Sequence, residues 1–511
     1  MSHTFKLSAI SFAAFLSACG GGGSDPVTSP ATTPPVASVA PSVEPALDAA
    51  KAFLAKFDAS LATAIPTPGA AALALFDGCS LNDGRSKAYS VADFDADPLA
   101  VASRQFGVGS TRSNVSVLAE RTAINADGTS RREIDIKYDV TYKDGSKFES
   151  PAGTVPDETI ISGSSAGTKL ADGSACATPD SKSDWRFYGN RKLVRTAPTA
   201  VNERLDRMAL ATGLSLSPQV LYSKYVNLLV SDPAKVATYA IITGPGLGLG
   251  ANAGTPGSVK LLSPRTLREA PELAGKRRNV VDFRDIDSFS FCSNATGDNA
   301  APADTADCVA NGAVFGAAYG PQGFSSAAAL DTAFANLNIK AGDTYTIAVY
   351  NDDGWKTVNG QAGKTPIATY NNVLRALPFS AATLAGTGPD ADRFGRVTSS
   401  TKTGVEIAAA IRAKSAISSD LTWVAPGTMP DGRATQLADT YVFEQGNANT
   451  NGTAFPRSRQ FSFSYPGPLA TSAKFTFPVP VPALVLPTFG SINLEYNNRN
   501  GNNVLSGYYW Q

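Results

Sequence analysis

Arg132-Glu133-Ile134-Asp135-Ile136-Lys137-Tyr138-Asp139-Val140-Thr141-Tyr142 alternates apolar and polar side chains without a break. Successive side chains of a strand point to opposite faces, so this run predicts a strand with one buried and one solvated face. Val115 to Ile124 precedes it as a second strand, and Asn125-Ala126-Asp127-Gly128 between them is a turn signal. Lys143-Asp144-Gly145 turns the chain again, and strands near Glu158–Ser162 and Trp185–Arg195 extend the meander. Upstream, Leu47, Ala50, Leu54, Phe57 and Leu61 recur at spacings of three and four, which predicts an amphipathic helix from Pro45 that Pro66 and Pro68 end. A shorter apolar stretch, Ala70 to Phe76, leads to Cys79.

A helix followed by long antiparallel strands, closed by Trp185-Arg186-Phe187-Tyr188-Gly189-Asn190, resembles the nuclear transport factor-like or ketosteroid-isomerase-like cone. The resemblance covers about residues 45–200, within a domain set at 45–205. It implies an α+β cone-like domain whose curved sheet wraps a long helix and often leaves a pocket.

Beyond it, Val201 to Ala211 reads as a polar helix-like bridge. From Tyr222 the pattern changes to short strands with Gly, Pro and Asn turns, including Tyr225–Val230 and Ala237–Thr243. Leu337-Asn338-Ile339-Lys340-Ala341-Gly342-Asp343-Thr344-Tyr345, with Thr346 to Tyr350, resembles the tyrosine corner of immunoglobulin-like and fibronectin type III sandwiches, which gives Tyr345 that part. Leu421-Thr422-Trp423-Val424-Ala425-Pro426 resembles the tryptophan-bearing core strand of the same folds. Phe461 to Tyr465, Lys474 to Val481 and a hairpin of Ile492–Tyr496 and Val504–Trp510 around Asn500-Gly501 complete the pattern. Pro478, Pro480 and Pro482 cannot donate to a ladder, which confines that stretch to an edge. The expectation is a predominantly β chain: the cone-like domain (45–205), an immunoglobulin-like β-sandwich (206–375) and a second sandwich-like domain (376–511).

The amino terminus carries Lys6 and then an apolar run, Leu7 to Ala18, too short to span a bilayer and suited to a signal-peptide core. It ends Leu16-Ser17-Ala18-Cys19, which resembles the bacterial lipobox. The resemblance implies a signal peptide over 1–18 and a diacylglycerol on Cys19. Gly20 rather than Asp after the cysteine implies transfer to the outer membrane of a Gram-negative envelope, on its periplasmic or its surface side. Residues 19–44, rich in Gly, Pro, Ser and Thr, read as an extended tether.

The 511 residues carry 44 Lys+Arg against 44 Asp+Glu, and loss of 1–18 removes one cation and no acid, for a formal charge of −1. That balance argues against nucleic-acid binding, which needs clustered cations. Lys276-Arg277-Arg278 reads as a solvated loop. Four further cysteines, Cys79, Cys176, Cys292 and Cys308, are an even set in an exported chain and read as disulfides, with three pairings open. The pairings within domains, Cys79–Cys176 and Cys292–Cys308, are favoured. No spacing suits a zinc site. The one histidine is His3, inside the signal peptide.

That last fact weighs on every catalytic motif. Gly163-Ser164-Ser165-Ala166-Gly167 fits G-x-S-x-G, but no histidine remains to take the serine proton, so it reads as a loop of small residues. Gly244-Pro245-Gly246-Leu247-Gly248-Leu249-Gly250 follows a strand, yet no helix pattern follows it to present free amides to a phosphate. Lys402-Thr403-Gly404 has no S-x-x-K partner. Asp93, Asp95 and Asp97 have the alternate spacing of a calcium loop but lack its glycine and distal glutamate, and Asn351-Asp352-Asp353-Gly354 reads as a turn before a cation site. Asp135, Asp139, Tyr138, Tyr142 and Tyr188 could serve histidine-free acid–base work, but alternation sets the Asp and Tyr groups on opposite faces.

No catalytic, cofactor-binding or metal residue is therefore assigned. The expected function is a lipid-anchored envelope protein that binds or scaffolds an envelope or extracellular protein or glycan. The alternatives are a cone-domain small-ligand binder or histidine-independent enzyme, with one carboxylate facing an interior pocket, and a surface adhesin.

Overall fold

The computed structural model describes residues 44–510 except 63–67, 97–105, 126, 144, 146, 151–154, 166–168, 170–175, 177–183, 209–215, 248–256, 264–265, 267–291, 294–312, 319–325, 355–363, 381–394, 414, 427–435, 448–456, 465–469, 478–485 and 498–501. Residues 1–43, with the expected signal peptide, Cys19 and most of the expected tether, lie outside the described residues, as do Asp97, Lys276-Arg277-Arg278 and Cys308. The chain forms two compact units: residues up to Arg195 with Ala368–Asn372, and Thr196–Ile367 with Val373–Gln511. Both units are rich in antiparallel sheet, none of it closed, and the chain is predominantly β.

In the first unit, helices α1 (Ala46–Ala62), α2 (Pro68–Leu73) and α3 (Lys87–Ala96) accompany a small hairpin, β1 (Leu81–Asn82) with β2 (Arg85–Ser86). The main sheet orders β3 (Thr111–Ile124), β4 (Ser130–Thr141), β6 (Glu158–Gly163) and β7 (Arg186–Gly189), with β5 (Lys147–Phe148) beside β4. All of its pairings are antiparallel. The alternating run is β4. Its Ile134, Ile136, Tyr138 and Val140, with Tyr142 just beyond, join Phe53, Leu54, Phe57 and Leu61 of α1 in one core. Phe187 of β7 closes on this core, meeting Phe53 and Phe57 edge to face at 4.7 and 4.8 Å. Such ring pairs contribute beyond their buried area. The helical face is as its spacing predicts except that Ala49 and Phe53 join it and Leu47, at 37% exposure, does not. Register shifts after Ser113 and Val117 bend β3 against β4, as bulges do.

The β1–β2 hairpin docks on the turn after β7. Gly189 has φ +87°, and a Cβ there would lie 2.0 Å from the Leu81 carbonyl oxygen, so only glycine permits this approach. Asp83 and Asn190 bond reciprocally: the Asp83 N–H donates to Asn190 Oδ1 at 3.1 Å, and Asn190 Nδ2 donates to Asp83 Oδ1 at 3.0 Å. A disulfide joins Cys79 to Cys176 beside this contact, packed with Ile161 and Tyr188.

In the second unit the chain continues through β8 (Arg195–Met208), β9 (Leu216–Ser231), β10 (Tyr239–Gly244), β11 (Gly257–Leu262), β12 (Cys292–Ser293), β13 (Ala313–Ala318), α4 (Ala327–Ala335) and β14 (Thr344–Tyr350). After β15 (Ala368–Val373) come β16 (Arg396–Ser400), α5 (Gly404–Arg412), β17 (Ile417–Val424), β18 (Gln436–Asn447), β19 (Arg457–Ser464), β20 (Ser472–Phe477), β21 (Leu486–Asn497) and β22 (Asn502–Trp510). One seven-stranded sheet runs β13-β9-β8-β22-β21-β18-β19. A second sets β12, β11, β10 and β14 side by side, and a third runs β16-β17-β20.

Two sequence expectations are corrected here. Val201 to Ala211 is not a helix: through Met208 it is strand β8, paired in parallel with β22 from Ala200↔Asn502 onward. A partner so far along the chain overrides local propensity. Trp185 to Arg195 is not one strand either; it breaks after Gly189 and resumes at Arg195 as β8. The sequence separates 206–375 from 376–511, whereas the seven-stranded sheet draws strands from both stretches. Its neighbouring core gathers Leu330, Phe379, Ile407, Leu421, Trp423, Phe475, Leu494 and Tyr496. Trp423 Nε1 donates to Tyr496 Oη at 2.8 Å inside it, which satisfies both buried polar atoms.

Candidate functional site

The first unit places a carboxyl group where its composition least favours one. Glu158 opens β6, and its register partner is Ile136, so its side chain shares the core-facing side of the sheet with Ile136 and Tyr138. It is only 4% exposed. Asn82 Nδ2, on the β1–β2 hairpin, donates to Oε1 at 2.5 Å. Oε2 is buried and has no hydrogen-bond partner among the described residues.

A buried carboxylate with one oxygen unsatisfied is costly, so the proton is retained instead. Burial pushes the Glu158 pKa up to about 8, and the nearby carboxylates of Asp83 and Asp157 push the same way. The Asn82 bond and the Arg112 guanidinium pull it down by less. Near neutral pH Glu158 is thus largely an uncharged acid. Because Oε1 already accepts from Asn82, the proton resides on Oε2. Tyr138 faces the same region, its hydroxyl held well above the usual tyrosine range by burial first and by Glu158 second.

Two of the surrounding charged groups have partners, although Arg112 Nε, like Glu158 Oε2, is buried with no hydrogen-bond partner among the described residues. Arg112 bonds Asp58 twice, through Nη1 to Oδ1 and through its backbone N–H to Oδ2, both at 2.7 Å, and lies 4.6 Å over the Phe57 ring. Asp157 Oδ2 accepts the Tyr138 backbone N–H at 3.0 Å. Asn82 and Asp83 of the β1–β2 hairpin are half-buried.

The sequence-designated residues lie elsewhere or serve packing. Tyr138 and Tyr142 sit in the core and Asp135 and Asp139 on the opposite face, as alternation requires. Asp135 accepts from Arg121 at 2.6 Å and Thr159 at 2.7 Å; Asp139 accepts from Asn114 and the Ser150 N–H. Tyr188 lies beneath the Arg191 and Arg131 guanidiniums, 4.1 and 5.3 Å from its centroid. Ser165, the centre of G-x-S-x-G, is 1% exposed and its carbonyl faces Cys79 Sγ at 3.8 Å, away from solvent. The Gly244 motif ends a strand whose next described element is β11, antiparallel to it. Asp93 and Asp95 occupy α3, where residues two apart point in different directions, so the calcium-like spacing converges on nothing there.

No protein-family model matches this chain, and no curated protein is similar to it.

Lys402-Thr403-Gly404 proves to be a helix start: the Thr403 N–H donates to Glu406 Oε2 at 2.8 Å, and the Glu406 N–H to Thr403 Oγ1 at 3.1 Å, a reciprocal capping box. Asp352 Oδ1 accepts from Tyr239 Oη at 3.1 Å and the Gly354 N–H at 2.8 Å, which makes Asn351–Gly354 a braced turn. Tyr345 is fully buried, its ring filling the space a Cβ on Gly244 would need. Among the described residues, no group of three His, Cys, Asp or Glu side chains is placed to hold a metal ion, and no helix is long and apolar enough to cross a membrane. The sequence pattern does not single out Glu158. Residues 158–161 are buried on both faces, so they carry no alternation to single out a polar intruder.

Proposed function

We propose that this chain is a lipid-anchored protein of the Gram-negative outer membrane that works by binding or scaffolding an envelope or extracellular protein or glycan, without catalysis. One observation carries the reading: Leu16-Ser17-Ala18-Cys19 with its Gly20-Gly21-Gly22-Gly23 tether. Two or three acyl chains at Cys19, at about 0.8 kcal/mol per buried methylene, hold such a protein firmly to the bilayer. The helix laid on a bulged antiparallel sheet supports a cone-like first domain. Buried Tyr345 and Trp423 support sandwich-like packing in the rest. Metabolic labelling with an alkynyl fatty acid tests the anchor. Label should enter the wild type and be lost in Cys19→Ala, which should also leave the membrane fraction; unchanged labelling overturns the reading. Protease shaving of intact cells separates surface display, the adhesin case, from a periplasmic position.

A second reading has its own observation. The interior carboxyl of Glu158, with one oxygen unoccupied, favours a small-ligand site inside the first unit.

A further inference from the structure

We infer that Arg191, Arg131 and Tyr188 form a recognition site for the phosphate group of a small molecule, on the face of the first sheet opposite α1.

Tyr188 follows Phe187 on β7, so its ring points away from the helix-covered core that Phe187 enters. Two guanidiniums meet this one ring, that of Arg191 at 4.1 Å and that of Arg131 at 5.3 Å from its centroid. Each is fixed by contacts of its own. Arg191 Nη1 donates to the Cys79 carbonyl at 2.7 Å, and the disulfide to Cys176 ties Cys79 down. The Arg191 backbone has φ +59°, a left-handed conformation uncommon for arginine, and its N–H donates to the Leu81 carbonyl at 3.0 Å. Arg131 Nε donates to Glu133 Oε1 at 2.7 Å, and its Nη1 bonds Asn125 Oδ1.

Folding leaves over one positive charge and several donors. Glu133 is shared between Arg131 and Arg121, Asp135 accepts from Arg121, and Asp77 accepts from Arg186. Arg191 makes no ion pair among the described residues, so four guanidiniums meet three carboxylates here. Burial pulls the Arg191 pKa below its ordinary value and Arg131 adds to this, while Tyr188, Glu133 and Asp77 push the other way. Arginine keeps its charge in proteins, so this half-buried cation has given up hydration without gaining a counter-ion. Nε and Nη2 of Arg191, Nη2 of Arg131 and Oη of Tyr188 have no hydrogen-bond partner among the described residues, and none of them is sealed from solvent. Whatever solvent reaches, a small ion reaches too.

The donors select the anion. With Nη1 committed to a carbonyl, Arg191 offers its Nε–Nη2 edge, two parallel N–H groups that match two oxygens of one oxyanion. Arg131 Nη2 and Tyr188 Oη add donors from two other residues. A tetrahedral group with three terminal oxygens takes these up better than a planar carboxylate with two. A second negative charge also suits a pair of guanidiniums. A nucleic-acid backbone fits worse, since it asks for a row of cations. The three side chains bind and orient, and no bond in the ligand is made or broken.

The test uses the full chain in detergent at constant ionic strength, titrated calorimetrically with methyl phosphate and with acetate, a planar monoanion. Methyl phosphate should bind saturably at one site, about tenfold tighter than acetate or more. Arg191→Gln should weaken methyl phosphate binding by about tenfold or more. Tyr188→Phe keeps the ring beneath both cations and should weaken it by about threefold. A second arm needs no variant. In the wild type, methyl phosphate should slow phenylglyoxal modification of Arg191 and Arg131, mapped by peptide mass spectrometry, and acetate at the same concentration should not. This arm decides the matter even if Arg191→Gln folds poorly. Absence of saturable binding and of protection overturns the inference, as does unchanged affinity in folded Arg191→Gln. Equal binding of acetate overturns the phosphate class. Protection spread evenly over all arginines marks an adventitious ion only and removes the site.

Discussion

Glu158 is held as a neutral acid near neutral pH, and its effect on stability depends on pH. The sign of its effect follows from linkage. Its native pKa of about 8 lies above the ordinary carboxyl value near 4.5, so the native state grips the proton more tightly. Stability from this group is fully present below about pH 4.5 and is lost as pH rises through about 8. Glu158→Gln should match the wild type at pH 4.5 and exceed it by a few kcal/mol at pH 9, read by urea unfolding at the two pH values. At Gly189 the expectation is of the opposite sign. Alanine there meets the Leu81 carbonyl and an unfavourable φ together, so Gly189→Ala should lose about 2 kcal/mol or more in the same assay. The apolar face of β4 was legible in the sequence because alternation writes it residue by residue, but the other face is not the solvated one expected, since Glu133 and Lys137 on it are buried. Glu158 was not legible, because its one side-chain hydrogen bond comes from Asn82, on a hairpin far back in the chain.

Elements were legible where their own residues decide them. Helix α1 follows from apolar spacing alone, and it is anchored through rings. Phe57 meets Phe187 and Phe76 and underlies Arg112. Truncation to alanine leaves a void among three partners, and Phe57→Ala should cost about 3–5 kcal/mol in chemical denaturation. Helix α5 is fixed at its start by the Thr403–Glu406 box, and Thr403→Ala should cost about 1 kcal/mol in the unit that contains it. The same three residues that resembled a catalytic motif are thus explained by backbone N–H groups needing acceptors at a helix start. Strand β8 was not legible. Its Asn202, Glu203 and Arg204 look solvated in isolation, yet Asn202 and Glu203 are buried once β22 lies alongside. No local window contains that partner.

At the scale of the molecule, the β-rich character came through from Gly, Pro and Asn turns between short apolar runs. The grouping of strands did not, because turns mark where strands end and not which distant strand lies beside them. The first unit carries a covalent tie, Cys79–Cys176, at the end of the sheet where β7 and the hairpin meet. Closing so long a loop restricts the unfolded chain, so Cys79→Ser with Cys176→Ser should lower the stability of this unit by about 2–4 kcal/mol. Beside the tie, Arg186 Nε donates to Asp77 Oδ2 at 2.9 Å with both side chains buried. Removing one partner of such a pair, as in Asp77→Ala, should cost about 3–5 kcal/mol by leaving a lone buried charge, again in urea.

The parallel pairing of β8 with β22 also sets an order of events in time. Strand β8 is synthesised long before β22, and until β22 arrives both β8 and β21 present a bare edge. Exposed edges recruit foreign strands, and contacts between distant segments form slowly. A chain cut short before Asn502 should therefore be found in aggregates or cleared by proteases, although it keeps nearly all of its residues.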